Sequence, residues 1–309
     1  MLFYASYINS VECVLIFQGE RSQISPMLVI LFRIFSYLPL PILHFLGSCV
    51  GILVYLLSPS YRRRLRENIT RAGFPQHTFS AILEAGKNIF ELPFIWCASP
   101  KRVMRTASIE NWDLVTTLLS KNKGVIFLTP HLGCFEIVAQ SIAQKIPLTV
   151  LYRPPKKEAL KPLIEGARAR DNLFLAATNL SGVRIMAKAL KKGQAIGLLP
   201  DQVPQQGEGV WAKFFGKPAY TMTLSSKLQS MSGATIVLTY AERRPWGLGF
   251  IVRFKEFTGD LSGDTTAQAE AINTAMEELI AQAPAQYFWS YHRYKTPSGV
   301  DAAPDQEAA

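Results

Sequence analysis

A histidine directly after a short apolar run, with a glutamate five residues further on, is the pairing in this chain best suited to moving a proton. It lies in Gly124-Val-Ile-Phe-Leu-Thr-Pro-His-Leu-Gly-Cys-Phe-Glu136, with the histidine at His131 and the acid at Glu136. A carboxylate can hold an imidazole in one tautomer and support its positive charge, which a general base requires. Residues three or four apart share a helix face, whereas residues five apart point away from each other. The spacing therefore predicts His131 in a turn and Glu136 in the first turns of a helix over 135–143. The run 125–129 is short, branched and aromatic, as a buried strand is. His131 is then expected at the carboxyl end of a strand, where open α/β sheets bind their ligands. Taken alone, a histidine after a strand is more often structural than catalytic, and Glu136 is equally an acid favoured near a helix N-terminus.

The elements that must position this pair alternate along the chain. Further strands are predicted at 148–152, 173–176, 195–199, 234–240 and 250–254. Helices are predicted at 62–71, 78–96, 108–119, 157–168, 182–192, 222–231 and 266–281. Such alternation argues for an α/β domain with a largely parallel or mixed sheet flanked by helices. Three of the strands end in polar residues: His131, Arg153 and Asp201. Carboxyl ends of parallel strands share one edge of a sheet, so these groups are expected to converge.

Ahead of this domain the chain is greasy and then basic. Residues 38–57 contain no Lys, Arg, Asp or Glu, a length sufficient to span a bilayer. Pro39, Pro41 and His44 interrupt the run, which leaves a kinked span and an interfacial helix both open. Gly47 and Gly51 form a small-xxx-small pair that hints at close helix packing. Tyr61-Arg-Arg-Arg-Leu-Arg66 follows at once, and the positive-inside rule puts what comes after on the cytoplasmic side. The reading is a variable extension over 1–26, with Met27 a candidate start, then a membrane-anchoring helix over 27–58. An α/β domain over 59–297 and a flexible tail over 298–309 complete it.

The 309-residue chain combines 49% hydrophobic residues with a net charge of +10, which suits an anionic membrane surface or acidic partners. No nucleic-acid-binding motif accompanies that charge. Cys13, Cys49, Cys97 and Cys134 form neither a metal-type pair nor a disulfide framework, which fits a reduced, cytosol-facing compartment. The chain has no G-x-S-x-G elbow, and Gly216-Lys217 is followed by Pro218, so it has no Walker loop. Four histidines without an H-E-x-x-H pair make a metal site weak, so none is expected. Cys134 as a nucleophile is disfavoured, because it is expected to pack against the sheet.

Pro130-His-Leu-Gly-Cys-Phe-Glu136 resembles the H-x4-D/E signature of lipid acyltransferases, and its glutamate form is similar to the lipid A late acyltransferases. The likeness runs from about residue 27 to 297. It takes in Leu151-Tyr-Arg-Pro154, Gly166-Ala-Arg-Ala-Arg-Asp-Asn172, Leu199-Pro-Asp-Gln202, Val210-Trp-Ala-Lys-Phe-Phe-Gly-Lys-Pro-Ala219 and Gln286-Tyr-Phe-Trp-Ser-Tyr-His-Arg-Tyr-Lys295. The resemblance implies a glycerol-phosphate acyltransferase-like fold. It also implies transfer of a fatty acyl chain from acyl carrier protein to a hydroxyl of a Kdo-bearing lipid A precursor, at the cytoplasmic face of a bacterial inner membrane. His131 would be the base, Glu136 its support, and backbone N–H groups near Gly133 the oxyanion donors. Acyl carrier protein is a donor substrate, and no cofactor is implied.

Under the same resemblance, Arg153, Arg168 and Arg170 would meet acceptor phosphates through their forked guanidinium geometry. Lys213 and Lys217 would sit at headgroup level. Asp201 would hold an arginine, meet sugar hydroxyls or simply turn the chain. Two rival readings are a glycerolipid acyltransferase using the same dyad and a non-catalytic protein that binds anionic lipid.

Overall fold

The computed structural model describes residues 26–152, 166 and 171–303. The described chain opens with α1 (Pro26–Ser36), α2 (Leu40–Leu57), α3 (Pro59–Arg71), α4 (Thr78–Phe90), α5 (Leu92–Cys97) and α6 (Pro100–Met104). There follow β1 (Ala107–Ile109), α7 (Trp112–Leu119), β2 (Val125–Leu128), α8 (Phe135–Ala143), β3 (Leu148–Tyr152) and β4 (Leu173–Ala177). Next come α9 (Leu180–Lys191), β5 (Ala195–Leu198), β6 (Gly209–Phe214), β7 (Lys217–Met222) and α10 (Leu224–Ser232). The last elements are β8 (Thr235–Arg243), β9 (Phe250–Glu256) and α11 (Thr265–Gln282).

Seven strands form one sheet in the order β1-β9-β8-β2-β5-β3-β4. β8, β2, β5, β3 and β4 run parallel, β9 returns antiparallel to β8, and β1 runs parallel to β9. The predicted α/β class with a largely parallel sheet is what forms. β2 shows why. All four of its residues are buried, and because strand side chains alternate, Val125 and Phe127 join one apolar cluster while Ile126 and Leu128 join the other. The first cluster is roofed by Ile137, Val138 and Ile142 of α8, the second by Ile272, Met276 and Leu279 of α11. Each such side chain contributes about 1.5–3 kcal/mol on burial. Two flanking helices start on side-chain caps: Asn179 accepts from the Gly182 N–H at 2.9 Å, and Asp264 accepts from the Ala267 N–H at 2.8 Å.

The structure departs from the sequence reading in four places. Residues 108–119 are not one helix, because Asn111 adopts a left-handed φ of 58° and separates β1 from α7. Lys213 to Lys217, expected as a basic and greasy loop, form the closed end of the antiparallel hairpin β6–β7, turned by Phe215 (φ 45°) and Gly216 (φ 72°), positive at both central positions as a tight hairpin turn requires. The apolar stretch 27–57 is two helices parted at Tyr37-Leu38-Pro39, and 78–96 breaks at Glu91, just before Pro93. Arg153, Arg168, Arg170, the extension over 1–25, nearly all of the helix over 157–168 and the tail from 304 lie outside the described residues.

Candidate active site

The sheet assembles the site at its carboxyl edge from two adjacent strands. β2 and β5 run parallel with Leu128 opposite Leu198, and the Thr129 N–H extends the ladder to the Leu198 carbonyl at 3.1 Å. Neighbouring strands lie about 4.8 Å apart, so residues three positions past a matched pair stay side by side. Those residues are His131 and Asp201. Asp201 grips His131 twice: Oδ2 accepts from the His131 backbone N–H at 2.8 Å, and Oδ1 accepts from Nδ1 at 2.8 Å. With the proton on Nδ1, Nε2 is left as the acceptor, and the Gln202 side-chain amide donates to it at 3.1 Å. The Phe135 ring meets the imidazole edge-on with centroids 4.8 Å apart.

The pair is almost dry. His131 is 6% exposed, Asp201 1% and Gln202 2%. Burial alone would raise the Asp201 carboxyl, but the charge of His131 and the hydrogen bonds from its ring and backbone outweigh it and hold the group below the usual carboxylate range. The Tyr287 hydroxyl also hydrogen-bonds Asp201. Burial, and then the adjacent carboxylate, push that phenol well above its ordinary value, which keeps it a donor. The fully buried Arg293 adds positive charge nearby and donates to the Tyr220 carbonyl at 2.8 Å and to Thr221 Oγ1 at 2.7 Å. The outcome is an imidazole with one fixed tautomer and a lone pair facing a single amide.

The turn holding His131 is laced from beneath by the C-terminal segment. The Phe288 N–H donates to the His131 carbonyl at 3.1 Å, and the Gly133 N–H donates to the Gln286 carbonyl at 3.0 Å. The Gln286 side chain is itself clamped on Arg243, accepting from its N–H at 2.7 Å and donating to its carbonyl at 2.9 Å. Gly133 (φ 58°) must be glycine, because a Cβ there would lie 1.9 Å from the Ala241 carbonyl oxygen. Of the N–H groups expected near Gly133 as oxyanion donors, that of Gly133 itself is already paired with the Gln286 carbonyl. Cys134 is buried, and burial followed by the negative charge of Glu91 pushes its thiol well above the ordinary range, the opposite of an activated thiolate.

His131 lies in the turn and Glu136 in the first turn of α8, as the spacing of five required. Glu136 is 8% exposed and accepts from the Trp96 indole N–H at 3.2 Å, while Trp96 also stacks on Phe32 of α1. The carboxylate on Nδ1 is thus Asp201, expected to hold an arginine or sugar, or merely to turn the chain. Gln202, Tyr287 and Trp96 also carry parts that no sequence argument gave them. One signal was legible: Leu128-Thr-Pro-His131 and Leu198-Leu-Pro-Asp201 repeat a Leu-x-Pro strand ending, each followed at once by the polar residue. Lys213 is exposed on β6, and Lys217, across the hairpin end from Phe214, lies 5.6 Å from the Tyr294 ring centroid. Among the described residues no group of three or more His, Cys, Asp or Glu is placed to hold a metal ion.

Comparison with known proteins gives the chemistry a context. The sequence model of the family described as bacterial lipid A biosynthesis acyltransferase matches residues 20–296. The lipid A biosynthesis palmitoleoyltransferase of Escherichia coli K12 is 26% identical over 273 residues, covering 84% of this chain and 87% of that protein. The lipid A biosynthesis lauroyltransferase of the same strain is 26% identical over 275 residues, covering 85% of this chain and 89% of that protein. A lipid A biosynthesis acyltransferase of Haemophilus influenzae is 23% identical over 221 residues, covering 67% and 65%.

Proposed function

The chain belongs to the bacterial lipid A biosynthesis acyltransferase family, and from that premise we propose that it moves a fatty acyl chain from acyl carrier protein to a hydroxyl of a Kdo-bearing lipid A precursor. The observation that carries the chemistry is the buried imidazole of His131, with Nδ1 on Asp201 and Nε2 facing the Gln202 amide. A hydroxyl is a poor nucleophile until its proton is taken. As the Gln202 amide gives way to the acceptor, Nε2 accepts the hydroxyl proton and the oxygen attacks the thioester carbonyl. The tetrahedral adduct collapses to the ester and expels the carrier thiolate, which takes the proton back from the imidazolium. Asp201 stabilises the imidazolium between these steps, and Glu136, buried in the first turn of α8, is assigned a supporting role behind it. The transfer is direct, consistent with a protonated, buried Cys134, and the thioester supplies the activation, so no cofactor is invoked.

The acceptor brings phosphates and acidic sugars. Arg153, Arg168 and Arg170 are assigned to them, with Lys213 and Lys217 at headgroup level. The net charge of +10 suits both an anionic membrane and a strongly acidic carrier protein. The working position is the cytoplasmic face of the inner membrane, in keeping with the arginine-rich flank at 62–66.

Mass spectrometry of lipid A from cells with and without the protein tests this. The expected result is the loss of one acyl chain from lipid A when the protein is absent. An unchanged acyl pattern with altered phospholipids would contradict it and favour a glycerolipid acceptor.

A further inference from the structure

Helix α2 is apolar on two opposite faces, and the protein covers only one of them. Leu40, Leu43, His44, Gly47 and Gly51 form the buried stripe. On the other side Ile42, Phe45, Cys49, Ile52, Leu53 and Leu56 follow one another at helical spacing, all exposed, with Phe45 at 67% and Leu56 at 60%. The covered face lies against α4 along its length, because Gly47 meets the Gly86 backbone and Gly51 meets the Ile82 carbonyl at distances that leave no room for a Cβ. Near its start, His44 reaches the buried Glu91 at 3.3 Å, and Glu91 is paired with Arg243 at 2.7 Å.

These contacts decide how a membrane can receive the helix. If α2 crossed a bilayer, it would carry α4 with it, including Glu84 and Lys87, and the Glu91–Arg243 pair at the end of β8. Charged groups inside hydrocarbon are costly, and lipid-exposed irregular backbone is not tolerated there. An apolar stripe along one side of a helix instead suits one that lies flat, with that side in the acyl boundary.

A second element shares the surface. The turn between β8 and β9 holds Trp246 at φ 59°, an uncommon conformation for a bulky residue, and leaves Trp246 87% and Leu248 61% exposed. Gly247 of this turn is seated so closely on the Leu40–Pro41 backbone that a Cβ would lie 2.5 Å from the Pro41 nitrogen. Tryptophan is favoured at the membrane–water interface. Exposed Arg244 lies beside the turn, and Arg63 and Arg66 are exposed beyond the far end of α2, which places cations at both ends of the apolar strip. We propose that α2 lies in the interface of one anionic leaflet without crossing it, and that the Trp246–Leu248 turn dips into the same leaflet beside its N-terminal end. This rests on the membrane attachment proposed above and not on the acyl-transfer chemistry.

Spin-label depth in the full chain on phosphatidylethanolamine–phosphatidylglycerol vesicles tests it. Nitroxides are placed singly through Phe45→Cys, Ile52→Cys, Leu56→Cys and Trp246→Cys, in a background with Cys13, Cys49 and Cys97 changed to serine. Cys134, 1% exposed, is left in place. A helix lying flat puts labels 45, 52 and 56 within about 5 Å of one depth, whereas a crossing helix separates 45 from 56 by about 16 Å. The expected result is a common shallow depth for all four labels, and Trp246→Ser with Leu248→Ser should weaken vesicle binding about tenfold. A graded depth along α2 would overturn the flat orientation, and a label at 246 that stays in water would remove the turn from the surface. Failure of every label to enter lipid would sink the attachment itself together with this inference, while leaving the lipid A chemistry standing.

Discussion

The carboxylate that holds His131 is Asp201, whereas Glu136 was expected there. Asp201 holds Nδ1 and the backbone N–H, and Glu136 takes the Trp96 indole N–H. Asp201→Asn keeps the shape but no longer dictates the tautomer, so the turnover number should fall about 10²–10⁴-fold with KM little changed. Tyr287→Phe removes a hydrogen bond that favours the Asp201 anion, so the acid limb of the rate profile should move to higher pH in steady-state assays across pH. A limb that stays in place would show that the phenol is merely structural. The convergence of Asp201 with His131 at one sheet edge was legible, but its grip on Nδ1 was not. Glu136 is local, five residues away, and helix geometry says where it goes. Asp201 is seventy residues away: the matching Leu-x-Pro strand endings put it on the same edge, but only the β2–β5 register brings it to Nδ1.

Elements built on their own periodicity were read nearly to the residue, and those built on distant partners were not. The helix over 135–143 and the strand over 148–152 stand where hydrophobic spacing put them. β1 was missed because its three residues are a strand only by pairing with β9, and β6–β7 because its Lys-Phe-Phe-Gly-Lys turn looks like a loop. At this scale a buried ionic network joins α2, α4 and β8. Arg243 donates to Glu91 and Glu84, and His44 closes the network. Glu91→Gln would leave Arg243 short of charge compensation in a dry site, an expected loss of about 3–5 kcal/mol in denaturant unfolding. Burial alone would raise Glu91, but the charge and hydrogen bonds of Arg243, followed by those of His44, lower it from 4.5 to about 2. A carboxyl depressed on folding contributes its stability above the unfolded value and loses it as pH falls through the folded one. Wild-type stability should therefore decline between about pH 4.5 and 2, and that component should be absent in Glu91→Gln. Gly86→Ala probes the same packing, since a Cβ would lie 1.8 Å from the Gly47 carbonyl oxygen, and a clear drop in Tm is expected.

Across the described residues, the apolar strip and the buried site lie apart. The exposed apolar residues of α1, α2 and the β8–β9 turn sit on the helices and turn that precede or flank the sheet, while His131 and Asp201 are enclosed at its carboxyl edge. Composition alone indicated a membrane-associated, cation-rich protein, but not how the apolar run is used, because a run of uncharged residues reads the same whether it crosses a bilayer or covers a helix. The fit of Gly47 and Gly51 on α4, with the buried Glu91–Arg243 pair beside it, is what argues against a crossing. The central claim is that the His131–Asp201 pair drives acyl transfer to a lipid A precursor. Its most direct test is the rate of acyl transfer from acyl carrier protein to that precursor by purified Asp201→Asn protein on vesicles, beside wild type. A fall of about a hundredfold or more with vesicle binding intact is the expected result. Turnover close to wild type would contradict it.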